Sequence, residues 1–312
     1  MDVNETGEIA LLPENYSDKV FAILLGLADG ATHARDDIDP GATEILPLYL
    51  ADGLLEALEW ANDGVASDEA ACMWLAALRS YRKLTGAFPD GAPEPLNRWI
   101  DEELAHVEIF EEIHPGDENN LNGLNSNEMG QAGRPTGAGA DSTGVLPRAA
   151  IAALLGRVPV STTESLARSA AFLTHDAQAA AVCIAAAKIV RSAMEEGEEA
   201  AAGWPALLEP LEGEAAAALQ DIVARISASI GQSPADAYNS YFEAAEEQPE
   251  SDVEAVEVHS ADEEFLRDPE ADAYAVALLA ALHGSDAIGE RPATALDDVI
   301  SELHDRWMAL LV

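Results

Sequence analysis

The chain has 312 residues, 58 acidic against 16 basic, for a net charge of −42 at neutral pH. A field of that sign repels nucleic acid and anionic membrane, so neither is an expected partner, whereas solubility in high salt, attraction to basic partners and mimicry of a polyanion all stay open. The N-terminus lacks a basic stretch leading into an apolar run and cleavage site, and no apolar run is long enough to span a bilayer; the expectation is a soluble, cytoplasmic protein.

Residues 1–15 are acidic, contain Pro13 and read as a flexible arm; residues 16–312 read as a single helical domain, a length ample for a sizeable core. Lys19 to Ala28 is an apolar helix. Gly30, Pro40 and Gly41 then punctuate a loop holding Asp29, Thr32, His33, Asp36, Asp37, Asp39, Thr43 and Glu44, before a second apolar helix from Ile45 to Leu58. Asp68 to Leu84 has helical apolar spacing, with Trp74 and Tyr81 as bulky core residues, and Cys72 and Cys183 sit in Ala-rich surroundings that suit buried reduced thiols.

Pro89 to Pro95 breaks the chain, and Leu96 to His114 reads as a helix with Glu102 and His106 one turn apart. That spacing could hold a metal, but an acidic exposed face carrying one His is the plainer reading. Pro115 to Ala140 is rich in Gly and Asn and reads as a long loop, followed by a helix from Gly144 to Leu155. Ser161 to Glu195 reads as one long helical unit, with Ser161 and Glu164 spaced as a capping box.

Ala206 to Ile230 is amphipathic. Phe242 to Asp262 is acidic and poor in apolar residues, the composition of a solvated loop. Glu270 to Leu282 is an Ala-rich helix, and Thr294 to Val312 is a last amphipathic one with Leu296, Val299, Ile300, Leu303 and Trp307 on one face. No run alternates as a strand would and no solenoid-length repeat occurs, so the fold class is all-α.

Hard oxygen ligands between two buried helices, at Asp29 to Glu44, can form a nest for a divalent cation; the same residues also make an ordinary solvated acidic loop. Gly26-Leu27-Ala28-Asp29-Gly30-Ala31, followed by Asp36 and by Thr43-Glu44-Ile45, resembles the N-terminal signature of the ADP-ribosylglycohydrolase family of the dinitrogenase-reductase-activating kind. There a Gly-Asp-Ala-x-Gly turn and an acidic residue precede a Thr-Asp-Asp triplet. Three further segments follow in the family's order. Gly137-Ala138-Gly139-Ala140 resembles its Gly-Asn-Gly turn, without the Met-Arg that follows there. Phe172-Leu173-Thr174-His175 resembles its Ser-x-Leu-Thr-His segment, and Ser285-Asp286-Ala287-Ile288-Gly289 its Asp-x-Asp-Thr-Ile-Gly element.

The resemblance implies a compact orthogonal multi-helix bundle acting on ADP-ribose linkages with two divalent cations, typically magnesium. It assigns Asp36 and Asp29 to catalysis, Gly137, Gly139 and His175 to ligand binding, and Thr43, Glu44 and Asp286 to metal. Ile45, Gly284 and Ala287 stand where three ligands are expected and cannot ligate through their side chains, and Glu44 is longer than Asp by a methylene. A degenerate metal site follows, in which Mg²⁺ occupancy is doubtful. The expected function is an ADP-ribosylglycohydrolase-like protein with reduced or lost catalysis, whose partner is ADP-ribose or an ADP-ribosylated protein. The alternative is a non-catalytic module that binds either of these, or a basic protein held by the anionic surface.

Overall fold

The computed structural model describes residues 12–35, 39–110, 115–246, 267–289 and 291–311. Of the described residues 71% are helical, and none of them is in a strand. In chain order the α-helices are α1 (Tyr16–Arg35), α2 (Ala42–Asn62), α3 (Glu69–Thr85), α4 (Trp99–Glu103), α5 (Pro115–Leu124), α6 (Leu146–Ala153) and α7 (Val160–Phe172). They continue as α8 (Ala177–Glu196), α9 (Trp204–Leu208), α10 (Glu214–Ala228), α11 (Pro234–Glu246), α12 (Pro269–His283) and α13 (Asp297–Leu311). The all-α bundle expected from the pattern is what forms.

The core is built on α1 against α12. From Ala273 to Ala281 every residue of α12 is buried, as a helix that is apolar all round must be. Two glycines set its distance from α1. A methyl at Gly30 would lie 2.6 Å from the Asp272 carbonyl carbon, and one at Gly26 would lie 3.1 Å from that of Val276. A third glycine lies at the C-terminal end of α12, since a methyl at Gly284 would lie 3.1 Å from the Asp18 carboxyl carbon. Residues 30, 26 and 18 thus face 272, 276 and 284, so the two helices are antiparallel and the end of α1 meets the start of α12. Helices α6, α8, α2 and α13 pack around this pair.

Several boundaries differ from the sequence expectation. Helix α1 does not stop at Ala28 but runs to Arg35, which puts Asp29, Thr32 and His33 on a helix and not in a loop. Gly30, a breaker by its sequence context, is the residue that lets α12 approach. Of the expected helix from Leu96 to His114, the described part up to residue 110 forms α4 and a 3₁₀ turn at Leu104–His106, and 111–114 lie outside the described residues; Lys83 Nζ donates to the Leu104 and Val107 carbonyls at 2.7 and 2.9 Å, tying that turn down. Part of the expected loop 115–140 is α5, where close packing overrides the poor helix propensity of Gly and Asn.

The Ser161 to Glu195 unit is two helices: α7 begins at Val160, and Asp176 caps α8 by accepting from the Gln178 and Ala179 amides at 2.8 and 3.1 Å. The expected helix 206–230 is broken ahead of α10, where Gly213 has φ 101°. The apolar face named for α13 is buried throughout.

The flexible arm falls largely on residues outside those described, although Leu12 packs on the core. Of the acidic stretch from Phe242, the part up to Glu246 is helical and 247–266 lie outside the described residues. The segment Ala177–Leu208 is long and apolar enough to cross a membrane by length and composition, but 61% of its window is buried inside the bundle, as in a core helix. Both cysteines are free, Cys183 buried and Cys72 half-buried.

Candidate functional site

Where α1 ends and α2, α5 and α12 begin, polar side chains are buried together. At the turn into α2 the Gly41 amide donates to Glu44 Oε2 at 2.9 Å, the half of a capping box open to a glycine N-cap. Arg35, at the end of α1, reaches the same carboxylate with both terminal nitrogens: Nη1 donates to Oε2 at 3.2 Å and Nη2 to Oε1. Its Nη2 also donates to the Asp39 carbonyl at 3.0 Å, and the guanidinium lies 5.3 Å from the Phe110 ring centroid. Thr43 Oγ1 donates to Asp117 Oδ1 at 3.0 Å, and the Glu270 carboxyl lies against Gly116, whose absent methyl would come within 2.8 Å of its carboxyl carbon.

Thr43, Glu44, Asp117 and Glu270 are all buried. Burial pushes the Glu270 carboxyl up to about 7, against hydrogen bonds with Asp117 and Thr43 that pull it down. Burial also works against the charge on Arg35, yet Glu44, Asp117 and Glu270 together hold its pKa above the ordinary value.

One turn along α5 from Asp117, Asn120 enters a second buried network. Arg148 Nη1 donates to the Ala170 carbonyl at 2.8 Å and to Thr174 Oγ1 at 2.7 Å, and Nη2 donates to Asn120 Oδ1. His175 is wedged between Thr174 Oγ1, 2.7 Å from Nδ1, and Ser142 Oγ, 3.0 Å from Nε2. Burial brings Arg148 down to about 10, with the charge of Glu270 among the groups opposing the shift. His175 is fully buried, and burial followed by the Arg148 charge holds its pKa well below 6.5.

That shift has a pH consequence. The unfolded imidazole takes up a proton near 6.5 while the native one does not, so native stability is lost as pH falls from about 6.5 toward the folded value. The expected loss is at most about 1.4 kcal/mol per pH unit over that window. H175Q should flatten the profile of urea unfolding free energy between neutral and mildly acidic pH, and parallel profiles for the two proteins would dismiss the assignment.

The structure brings some of the expected site residues together and leaves others apart. Thr43 and Glu44 share the first cluster. Gly137 packs on the segment carrying His175, since a methyl there would lie 2.6 Å from the Thr174 carbonyl carbon. Gly139, at φ 80°, faces open space in the same turn. Asp29 is buried on α1 and accepts from the Tyr238 hydroxyl at 2.8 Å; burial raises its pKa, with that hydrogen bond opposing. Asp36 lies outside the described residues.

Asp286 is exposed in the turn at the far end of α12, next to Ser285, whose amide donates to Asp18 Oδ2 at 3.1 Å. At 1.5 Å per residue, Asp18 and Gly30 are roughly 18 Å apart along α1, so Asp286 stands far from Thr43 and Glu44. Gly284 and Ala287 belong to that same remote turn, and Ile45 is fully buried apolar core. The acids that do stand at the head of α12 are Glu270 and Asp272, the latter paired with Arg267 at 2.6 Å and accepting from the Tyr241 hydroxyl at 2.9 Å. Sequence reasoning passed over Arg35, Asp117, Glu270 and Arg148; the available signal was the Asp268-x-Glu270-x-Asp272 alternation ahead of a wholly apolar helix.

Among the described residues no group of three or more His, Cys, Asp and Glu side chains is placed to hold a metal ion. The family model for ADP-ribosylglycohydrolase matches residues 12–306, nearly the whole chain. No curated protein matches it. The chain therefore belongs to the ADP-ribosylglycohydrolase family.

That family is generally metal-dependent. The ligand set that the resemblance implies is not brought together, although each divalent cation seeks about six oxygens. The Glu44 carboxylate is taken by Arg35 and the Gly41 amide, Ile45 offers no oxygen from its side chain, and Asp286 is at the other end of the core.

Proposed function

We propose that this member of the ADP-ribosylglycohydrolase family recognises ADP-ribose on a modified target, with metal-assisted hydrolysis reduced or lost. The family acts on ADP-ribosylated substrates, which supports that partner. The observation that carries the reading is the engagement of Glu44 by Arg35 on both carboxylate oxygens, which leaves that carboxylate little capacity to ligate a metal. A second reading, a hydrolase that works without metal, is favoured by Asp29. Burial raises the pKa of this carboxyl, and Tyr238 holds it, as suits a general acid.

The test is release of ADP-ribose from ADP-ribosylated arginine, serine and thymine substrates, with Mg²⁺ and with chelator, alongside the melting temperature with free ADP-ribose. The expected result is little or no turnover in either condition and a rise in melting temperature with ADP-ribose. Turnover that requires Mg²⁺ overturns the loss of metal-assisted catalysis. Turnover that survives chelator and disappears in Asp29→Asn establishes the second reading. Neither turnover nor stabilisation removes ADP-ribose recognition and turns attention to basic proteins as partners of the anionic surface.

A further inference from the structure

We infer that Arg35 is the resident cation of this site: its guanidinium takes, at Glu44, the place a divalent ion would need, and closes the cluster of Thr43, Glu44, Asp117 and Glu270 to one. The inference deepens the reading above and rests on the same site.

The geometry is that of a fork on a carboxylate. Two terminal nitrogens of Arg35 donate one to each oxygen of Glu44, with Nη1 at 3.2 Å from Oε2, and the Gly41 amide adds a further donor to Oε2 at 2.9 Å. A guanidinium binds in this way as a planar, permanently charged unit, whereas a hard divalent ion needs the same oxygens at about 2.0–2.6 Å. Both cannot be met by one carboxylate that is already held by three N–H groups.

Arg35 is itself held by two other contacts and is buried. The Asp39 carbonyl accepts from Nη2 at 3.0 Å, the Phe110 ring lies at 5.3 Å, and its side chain is only 3% exposed. Its charge is not spent on Glu44 alone, because Asp117 and Glu270 also act on it. Arg148 acts on Glu270 as well, so two guanidiniums, anchored on α1 and α6, balance the buried carboxylates that α2, α5 and α12 bring together. Removing a buried partner leaves such carboxylates uncompensated, and the field that held a guanidinium is then open to an external cation.

The test is a calorimetric Mn²⁺ titration of the full chain in enough KCl to screen the acidic surface, on wild type, Arg35→Met and Arg35→Lys. Wild type and R35K, which keep a fixed positive charge, are expected to show no stoichiometric site. R35M is expected to bind one Mn²⁺ at least tenfold more tightly than wild type, with a melting temperature that rises with Mn²⁺. One stoichiometric site in wild type, or equal binding in wild type and R35M, overturns the inference.

If R35M does not fold in metal-free buffer, refolding that depends on Mn²⁺ supports the inference. If it folds under neither condition, the wild-type titration decides: a site overturns and no site supports. The two readings of the site fail separately. Metal binding by wild type without turnover would sink Arg35 as resident cation and leave the loss of catalysis standing, whereas chelator-resistant turnover would do the reverse.

Discussion

Asp52→Ala is expected to destabilise the protein by about 3–5 kcal/mol, the cost of leaving a buried cation without its counter-charge. Asp52 is fully buried on α2 and accepts from Arg79 Nη2 at 2.7 Å, from Arg98 Nε at 2.8 Å and from the Trp99 indole at 2.9 Å. Arg79 is 1% exposed, and its other acidic neighbour, Asp101, is 3.3 Å from Nε. Asp101 also serves Arg82 at 2.9 Å and the Tyr49 hydroxyl at 3.1 Å, so it has little capacity to take over.

The network joins α2 to α3 and to the short α4, and α2 is the helix whose first turn carries Thr43 and Glu44. Equilibrium urea unfolding followed by circular dichroism measures the effect. Asp52→Asn, which keeps the shape and one acceptor oxygen, should lose less than D52A. A D52A protein within about 0.5 kcal/mol of wild type would mean that the buried pair is not what holds these helices.

Gly30→Ala is expected to cost about 2 kcal/mol net although it places a better helix former inside a helix. The propensity gain is about 1 kcal/mol in its favour. Against it, the added methyl would meet the Asp272 carbonyl oxygen, with the carbonyl carbon at 2.6 Å and Ala273 Cα at 2.8 Å. These are backbone atoms, so no side chain can turn away and α1 must part from α12. Overpacking of this kind costs 1–3 kcal/mol or more, and the clash outweighs the propensity.

The same displacement would pull the Arg35 end of α1 away from Glu270, so this contact positions the buried cluster as well as the core. Gly203, which has open space around it and φ −89°, gives the control: Gly203→Ala should be neutral or slightly stabilising. Calorimetric melting of both variants distinguishes the terms. If G30A melts with G203A, the close approach of α1 and α12 is not tight.

Local pattern was enough for the fold class and for most helices. The face of α13 from Leu296 to Trp307 and the wholly apolar α12 declare themselves through spacing alone, because a 3.6-residue period records which side is buried whatever it packs against. Thr43 and Glu44 were legible too, since they sit together at one helix start and need no distant residue to be recognised as neighbours.

Tertiary structure alone decided which charges meet. Arg35 and Glu44 are nine positions apart, but Asp117 and Glu270 arrive from α5 and α12, and nothing in their own segments says which charges they meet. An acid in the first turn of a helix reads as an ordinary partner of the helix dipole. Asp286 and Glu270 flank the same helix, and the choice between them rests on the antiparallel pairing of α1 with α12. That pairing follows from the fit of Gly26 and Gly30 against the α12 backbone, a contact between segments more than 240 positions apart that no local period encodes.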